Sequence, residues 1–300
     1  MPKTQLSPIY LDAEIVSSNS NGNRRNGNPT KIVRKPRKRI VFGWYGGKFS
    51  HLDWLLPLLP QTHHYCEPFS GSAAVLLNRE PSLVETYNDI DGEVVNFFRV
   101  LRDKRKAITE AIGLTPFSRE EFHYALTANG KKISDVERAR LFFIRARQTR
   151  SGLAQTSSLG RWANCKNTSR AGMSGVVSRW LGSVEALPEI AERLLRVQIE
   201  NRPALEIIKL YDSVGTLFYC DPPYVHSTRG DSKAYGFEME EKEHVKLAEA
   251  LNGAKGKVAI SGYRCELMDR LYKGWRRFDA APKQAHSIKQ IRQESLWMNY

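Results

Sequence analysis

The chain has 300 residues, enough to bury a substantial core in one large domain or two smaller ones. Its 41% apolar fraction suits a globular fold, no run of roughly eighteen apolar residues exists to cross a membrane, and the N-terminal residues lack the apolar core of a secretory signal. A net charge of +14 points to a polyanionic partner; the four cysteines lie far apart with no C-x-x-C pair, which argues against a zinc site or a disulfide framework and for a reduced, cytoplasmic setting.

Residues 1–38 read as a disordered basic tail. "SSNSNGNRRNGNPTK" and "KIVRKPRKR" carry too little apolar surface to offset the entropy of ordering. The folded part begins near Ile40. "HHYCEP" reads as a strand, "FSGS" as a turn, "AAVLLN" as a helix start and "LVETYND" as a second strand ending in acids. Val94, Phe98, Leu101, Ile108 and Ile112 keep helical spacing, so one helical run is expected from Gly92 to Ile112. Further on, "RVQIEN" is a strand and "PALEIIKLYD" a helix with Pro203 in its first turn. "GTLFYC" is a strand, "EMEEKEHVKLAEALNG" a helix closed by Gly253, "KVAISGY" a strand and "ESLWMNY" a last strand. The alternation predicts an α/β sheet with helices on both faces.

Between these two blocks the pattern changes. Residues 114–185 read as an inserted subdomain of short helices and loops, anchored by Trp162, Met173 and Trp180. From Arg138 to Val184 there are nine basic residues and no acid. A solvated helix face usually mixes signs, so this stretch reads as a phosphate-facing surface.

The chemistry gathers at strand ends. In "YCEPFSGSAAVLLN" a strand, a glycine turn and a helix follow one another, the arrangement at which α/β sheets bind nucleotides. It lacks G-x-G-x-x-G, so a ligand without a pyrophosphate suits it better. Asp89, eighteen residues after Gly71, could accept hydrogen bonds from ribose hydroxyls or could equally cap a helix. Upstream, "GWYGGK" joins two glycines to a stacking ring, Trp44, and a cation, Lys48; a plain surface turn is the alternative. The strand "TLFYC" ends in Asp221-Pro222-Pro223-Tyr224. Two prolines fix the backbone and remove two donors, leaving carbonyl and carboxylate acceptors beside an aromatic ring. Such a loop suits a planar group with an exocyclic amine, adenine N6 for example, whose attack would be favoured by positioning and electrostatics. A rigid turn is the alternative. Cys220 is expected to be buried at its strand end, which disfavours the cysteine nucleophile of cytosine-C5 chemistry.

"GWYGGK", "EPFSGSAAV", "YND", "FYCDPPY", "ISGY" and "ESLWMNY" occur in that order, and together they are far more specific than any one of them. Over about residues 41–300 the chain resembles the Dam-like, D12-class family of adenine-N6 DNA methyltransferases. The resemblance implies a Rossmann-like methyltransferase sheet. A catalytic domain over 39–113 and 186–300 would bind S-adenosylmethionine, released as S-adenosylhomocysteine, and 114–185 would recognise the DNA target. It assigns Trp44 and Lys48, with Tyr45, to an N-terminal cofactor motif; Glu67, Pro68, Phe69 and Gly71, with Ser72, to the first cofactor loop; and Asp89, with Asn88, to the cofactor ribose. Asp221 would face both cofactor and adenine, Tyr224 would stack on the flipped base, and Pro222 and Pro223 complete the catalytic set. Arg138, Arg145, Arg147, Arg150, Arg161, Lys166, Arg170 and Arg179 would meet DNA. No metal is expected, because a methyl sulfonium is already activated.

The expected partner is double-stranded DNA, acted on by a monomer of bacterial or phage origin in the cytoplasm, with no membrane and with a cognate restriction endonuclease as a candidate companion. Cytosine-N4 transfer, or a non-catalytic DNA-binding protein with a degenerate core, are the alternatives. Two departures from the family are visible: the tail, and Gly71-Ser72-Ala73 where many relatives carry a second glycine.

Overall fold

Most of the apolar runs become strands of one sheet. The computed structural model describes residues 38–128, 132–150, 158–168, 172–228, 237–284 and 291–300; the tail, apart from Lys38, and Arg170 lie outside them. The strands are His64–Glu67 (β1), Val84–Asn88 (β2), Val197–Glu200 (β3), Thr216–Cys220 (β4), Lys257–Tyr263 (β5) and Arg276–Asp279 (β6), a two-residue ribbon of Lys283–Gln284 (β7) with Ile291–Arg292 (β8), and Glu294–Met298 (β9). Seven of them form a sheet in the order β3-β2-β1-β4-β5-β9-β6. The first five are parallel, and β9 runs antiparallel to both β5 and β6. The chain steps outward from β1 to β3 and then returns to the other side of β1 at β4. The carboxyl ends of β1 and β4 therefore diverge into the crevice where such sheets take ligands.

Helices cover both faces, which is why β4 is buried along its whole length. They are Leu52–Leu55 (α1), Ala74–Asn78 (α2), Gly92–Asp103 (α3), Arg105–Gly113 (α4), Arg119–Thr127 (α5), Asp135–Gln148 (α6), Gly175–Glu185 (α7), Leu187–Leu194 (α8), Ala204–Tyr211 (α9), Glu241–Asn252 (α10) and Glu266–Leu271 (α11). Alternate strand residues feed two cores. Tyr65, Tyr87, Leu217, Tyr219 and Leu296 pack with α3 to α8, whereas Cys66, Phe218, Ile260 and Trp297 pack with α9, α10 and α11. Phe97 and Phe143 stack at 5.6 Å, and Phe143 meets Trp180 at 5.4 Å, so the helices inserted between β2 and β3 share the core of the sheet.

Several expectations change. The run from Gly92 to Ile112 is two helices, broken at Lys104, whose φ of −124° and ψ of 38° leave the helical region. Pro203 sits just before α9 as its N-cap. The inserted region contains one long helix, α6, with Ser134 accepting from the Glu137 N–H at its start. Trp180 is buried and Trp162 packs against Phe117 at 5.4 Å, but Met173 is 36% exposed and lies outside the buried core of the described residues. β6 had no apolar signal, because it is an edge strand with exposed residues. Among the described residues no helix is long and apolar enough to cross a membrane.

Candidate active site

The cleft at the carboxyl ends of β1, β2 and β4 encloses about 720 Å³ of empty space, open to solvent. Three loops and one preceding turn form it. After β1, the chain must reverse quickly to start α2. Gly71 does so at φ 49°, and a Cβ there would fall 2.4 Å from Trp44 Nε1, so only glycine lets loop and indole approach. Ala73 follows at φ 56°, in the left-handed region that costs an alanine roughly 1–2 kcal/mol. It stands at the second-glycine position noted above. Ser70 holds the loop, donating its hydroxyl to the Glu67 carbonyl and its N–H to the Asn88 carbonyl.

Asp89 opens the next loop, between β2 and α3. Its carboxylate accepts from the Gly71 N–H at 2.8 Å and the Asp91 N–H at 2.9 Å, while the helix-capping role falls to Asp91, which accepts from Glu93 N–H. Burial pushes the Asp89 carboxyl up to about 6, against those two hydrogen bonds. Asn88 is fully buried; it donates to the Pro68 and Arg202 carbonyls and accepts from the Arg202 N–H, tying loops together beneath the cleft. Glu67 lines the cleft and accepts from the Tyr65 hydroxyl at 2.7 Å; burial pushes its carboxyl up to about 8.

The turn before α1 brings a cation inward. Lys48 is 3% exposed. Its ammonium donates to both oxygens of Asp221, at 2.6 and 2.7 Å, and to the Gly46 carbonyl at 2.6 Å. Burial works against that ammonium, yet Asp221 and Glu294 outweigh it and hold the Lys48 pKa above its ordinary value. Glu294 Oε1 lies 3.6 Å from Lys48 Nζ and accepts from the Tyr224 hydroxyl. Tyr224 is only 4% exposed; its ring meets Tyr263 edge to face at 4.7 Å, with Lys48 Nζ 5.0 Å from its centroid. Cys220 is buried and its thiol is pushed up by that burial, so no thiolate stands at this strand end.

The cleft thus collects Trp44, Tyr45, Lys48, Glu67, Phe69, Gly71, Ser72, Asp89, Asp221 and Pro223. Pro68 lines an adjoining apolar groove of about 1060 Å³ with Phe69, Ile90, Leu205 and Phe237. Pro222 and Tyr224 are buried behind the rim. A family model for D12 class N6 adenine-specific DNA methyltransferases matches residues 44–293 of this chain.

The chain belongs to that family. It is 26% identical over 258 residues to a DNA N-6-adenine-methyltransferase of Escherichia phage P1, a match covering 80% of this chain and 32% of that relative. The chain therefore spans about a third of that phage protein. It is 25% identical over 252 residues to a DNA adenine methylase of Vibrio cholerae serotype O1, covering 79% of this chain and 86% of the relative. A retron Ec67 DNA adenine methylase of Escherichia coli is 24% identical over 251 residues, covering 78% of this chain and 81% of the relative.

Away from the cleft, the basic stretch of this D12-class chain divides. Arg138 donates to Glu93 at 2.5 Å. Arg145 is buried, bonded to the Ala125 carbonyl at 2.9 Å and to Glu93 at 3.2 Å, and is thereby withdrawn from any DNA-facing surface. Arg140 pairs with Glu121 and Glu137. The stretch is free of acids in sequence, but α3 and α5 supply them in space. Arg150, Arg161, Lys166 and Arg179 are exposed. The Arg150 N–H donates to the Arg161 carbonyl at 2.7 Å, which sets these two side by side. Arg147 donates to the Arg179 carbonyl at 3.0 Å; burial and the neighbouring Arg179 charge push its guanidinium down to about 10.

Residue-by-residue reading missed Glu294, Tyr219, Ile90 and Phe237. Tyr219, Ile90 and Phe237 line the cleft through side chains that look like ordinary core. Glu294 had one visible signal, an acid opening an otherwise apolar strand.

Proposed function

We propose that this chain transfers a methyl group from S-adenosylmethionine to N6 of an adenine flipped out of double-stranded DNA. The observation that carries the reading is Asp221: a cleft-facing carboxylate held by a buried ammonium at the end of β4. The donor set fits the cofactor. Asp89 is an acceptor for ribose hydroxyls, and Phe69, Ile90 and Phe237 offer an apolar slot beside it for a base. Trp44 and Tyr45 wall the other side. The loop around Gly71 has no array of glycines for a pyrophosphate, which favours a nucleoside without one. When bound, the cofactor would supply a methyl on a sulfonium, with the neutral thioether as leaving group and the displaced N6 proton passing to solvent. Asp221 and the carbonyl of Pro222 accept from the amine and draw it toward the geometry of a nucleophile. Tyr224, freed from the rim, would stack on the base.

Base flipping costs roughly a few kcal/mol, which backbone contacts help to offset. Among the described residues of the expected set, Arg147, Arg150, Arg161, Lys166 and Arg179 are left to make them. If all five meet phosphates, DNA affinity should fall roughly 500-fold between about 50 and 200 mM salt; a flat response in a filter-binding series would remove this face from the interface. The cofactor site has its own signature. A raised Asp89 pKa means the carboxylate is lost as pH falls below about 6, so S-adenosylmethionine affinity by calorimetry should drop with it. Affinity unchanged from about pH 5 to 8 would exclude Asp89 as the ribose acceptor.

The reading extends to a monomer in a bacterial or phage-infected cytoplasm, with or without a companion endonuclease; its named relatives come from bacteria and phage. The test is direct. Purified full chain, S-adenosylmethionine and unmethylated duplex DNA should give N6-methyladenine at a defined sequence, read base by base. Methylation at cytosine N4, or none by folded protein, would overturn it.

A further inference from the structure

Glu294 is the first residue of β9. Because β9 runs antiparallel, its first residue lies opposite Tyr263 at the carboxyl rim of β5, the same rim that carries Asp221. There it is 5% exposed, close to Lys48 and bonded to the Tyr224 hydroxyl. It is absent from the described residues that line the cleft, whereas Asp221 is among them. A buried carboxylate is costly to keep, and an amide would accept the Tyr224 hydroxyl equally well. The arrangement therefore calls for a reason that involves charge.

We propose that Glu294 is a positioning residue whose charge makes the Asp221–Lys48–Glu294 cluster net negative, so that the rim favours a cationic methyl donor over its neutral product. The inference rests on the reading of this cleft as an S-adenosylmethionine site. Lys48 and Asp221 alone would cancel, leaving the rim no net attraction for a sulfonium. One ammonium cannot neutralise two carboxylates, and the remaining unit of negative charge faces the cleft through Asp221. Among the described residues, the other ionisable groups that look onto the three do not alter this count near neutral pH. Tyr219 from β4, bonded to Ser261 at 2.8 Å, is buried, and its hydroxyl stays protonated. Tyr263 from β5 and Tyr224 are phenols, and Glu67 from β1, pushed up to about 8, keeps its proton. Positive charge passes from sulfur to nitrogen during the transfer but stays one unit in total, so the same negative cluster serves the donor and the transition state. Glu294 acts through Lys48 and Tyr224 and need not touch either ligand.

The test compares S-adenosylmethionine with S-adenosylhomocysteine, which differ by the methyl and its charge, by calorimetry on the full-length chain. In Glu294→Gln the affinity for S-adenosylmethionine should fall roughly tenfold, with that for S-adenosylhomocysteine nearly unchanged; because donor and transition state lose the same stabilisation, the loss should appear in the KM for S-adenosylmethionine and not in kcat at saturation. An unchanged ratio, or an equal loss for both ligands, overturns the proposal, since either describes a structural residue. If Glu294→Gln does not fold, Glu294→Asp decides: it keeps the charge and should keep the preference, and loss of the preference in folded Glu294→Asp overturns the proposal. Wild-type protein that binds neither ligand overturns the cofactor reading and this inference with it. Wild-type protein that binds both, beside a variant with an unchanged ratio, overturns this inference alone.

Discussion

Asp221→Ala should lower kcat by roughly 10³-fold or more while leaving the protein folded and DNA affinity near that of the wild type. The substitution removes the carboxylate that faces the cleft. It does not strand the cation behind it, because Lys48 keeps the Gly46 carbonyl at 2.6 Å and Glu294 at 3.6 Å. The backbone around it is held by Pro222 and Pro223 and by the parallel pairing of β4 to β1 and β5. The exposed arginines of the inserted region belong to other elements and keep their positions. Single-turnover methyl transfer, with circular dichroism and a DNA-binding isotherm on the same preparation, checks all three parts. Transfer near the wild-type rate would end the assignment of Asp221.

Lys48→Met should be the most destabilising single change at the site, costing about 3–5 kcal/mol near neutral pH. Methionine fills most of the volume but leaves Asp221 and Glu294 as two buried carboxylates with no cation between them. One of them then takes up a proton more readily. The sign follows. Burial already raises both carboxyl pKa values, and Lys48 opposes that rise. Without Lys48 the folded-state pKa values rise further above those of the unfolded chain, so the folded variant binds protons that the unfolded chain has released. The variant should be least destabilised at acidic pH and lose stability as pH rises through the raised values. Urea denaturation at about pH 5.5 and 7.5 reads the difference. A loss under about 1 kcal/mol, or one independent of pH, would show that the pair is solvated.

Strands β1, β2 and β4 were legible with their loops because each is a short, largely buried run that stops at Pro68, Asp89 or Asp221, whereas β3 is half exposed and β5 runs on into Arg264. "TLFYC" before Asp221 and "HYCE" before the Gly71 turn show this most clearly. Asp89 was half legible: the sequence offered a ribose acceptor or a cap, and the cap turned out to be its neighbour Asp91. What could not be read depends on partners far away in the chain. Arg138 and Arg145 look free in a stretch without acids, but Glu93 on α3 meets both. Edge strand β6, "RRFD", needs no apolar pattern, since it is covered on one side only by β9. Lys48 read as a cation of a cofactor motif, with a plain surface turn as the alternative; only the packed fold carries it inward to two carboxylates.

The antiparallel last strand also sets an order of events. Lys48 and Glu294 are separated by 246 positions (294 − 48) yet meet at the same rim. A contact of that span forms late, after most of the loop-closure entropy has been met elsewhere. During synthesis β1 to β5 can pair while Glu294 is still unmade or inside the ribosome, and in that interval Asp221 is the one carboxylate of the cluster beside Lys48. The emerging protein can thus hold most of its sheet before the third charge of the Asp221–Lys48–Glu294 cluster is in place, and that cluster is complete only when β9 enters between β5 and β6.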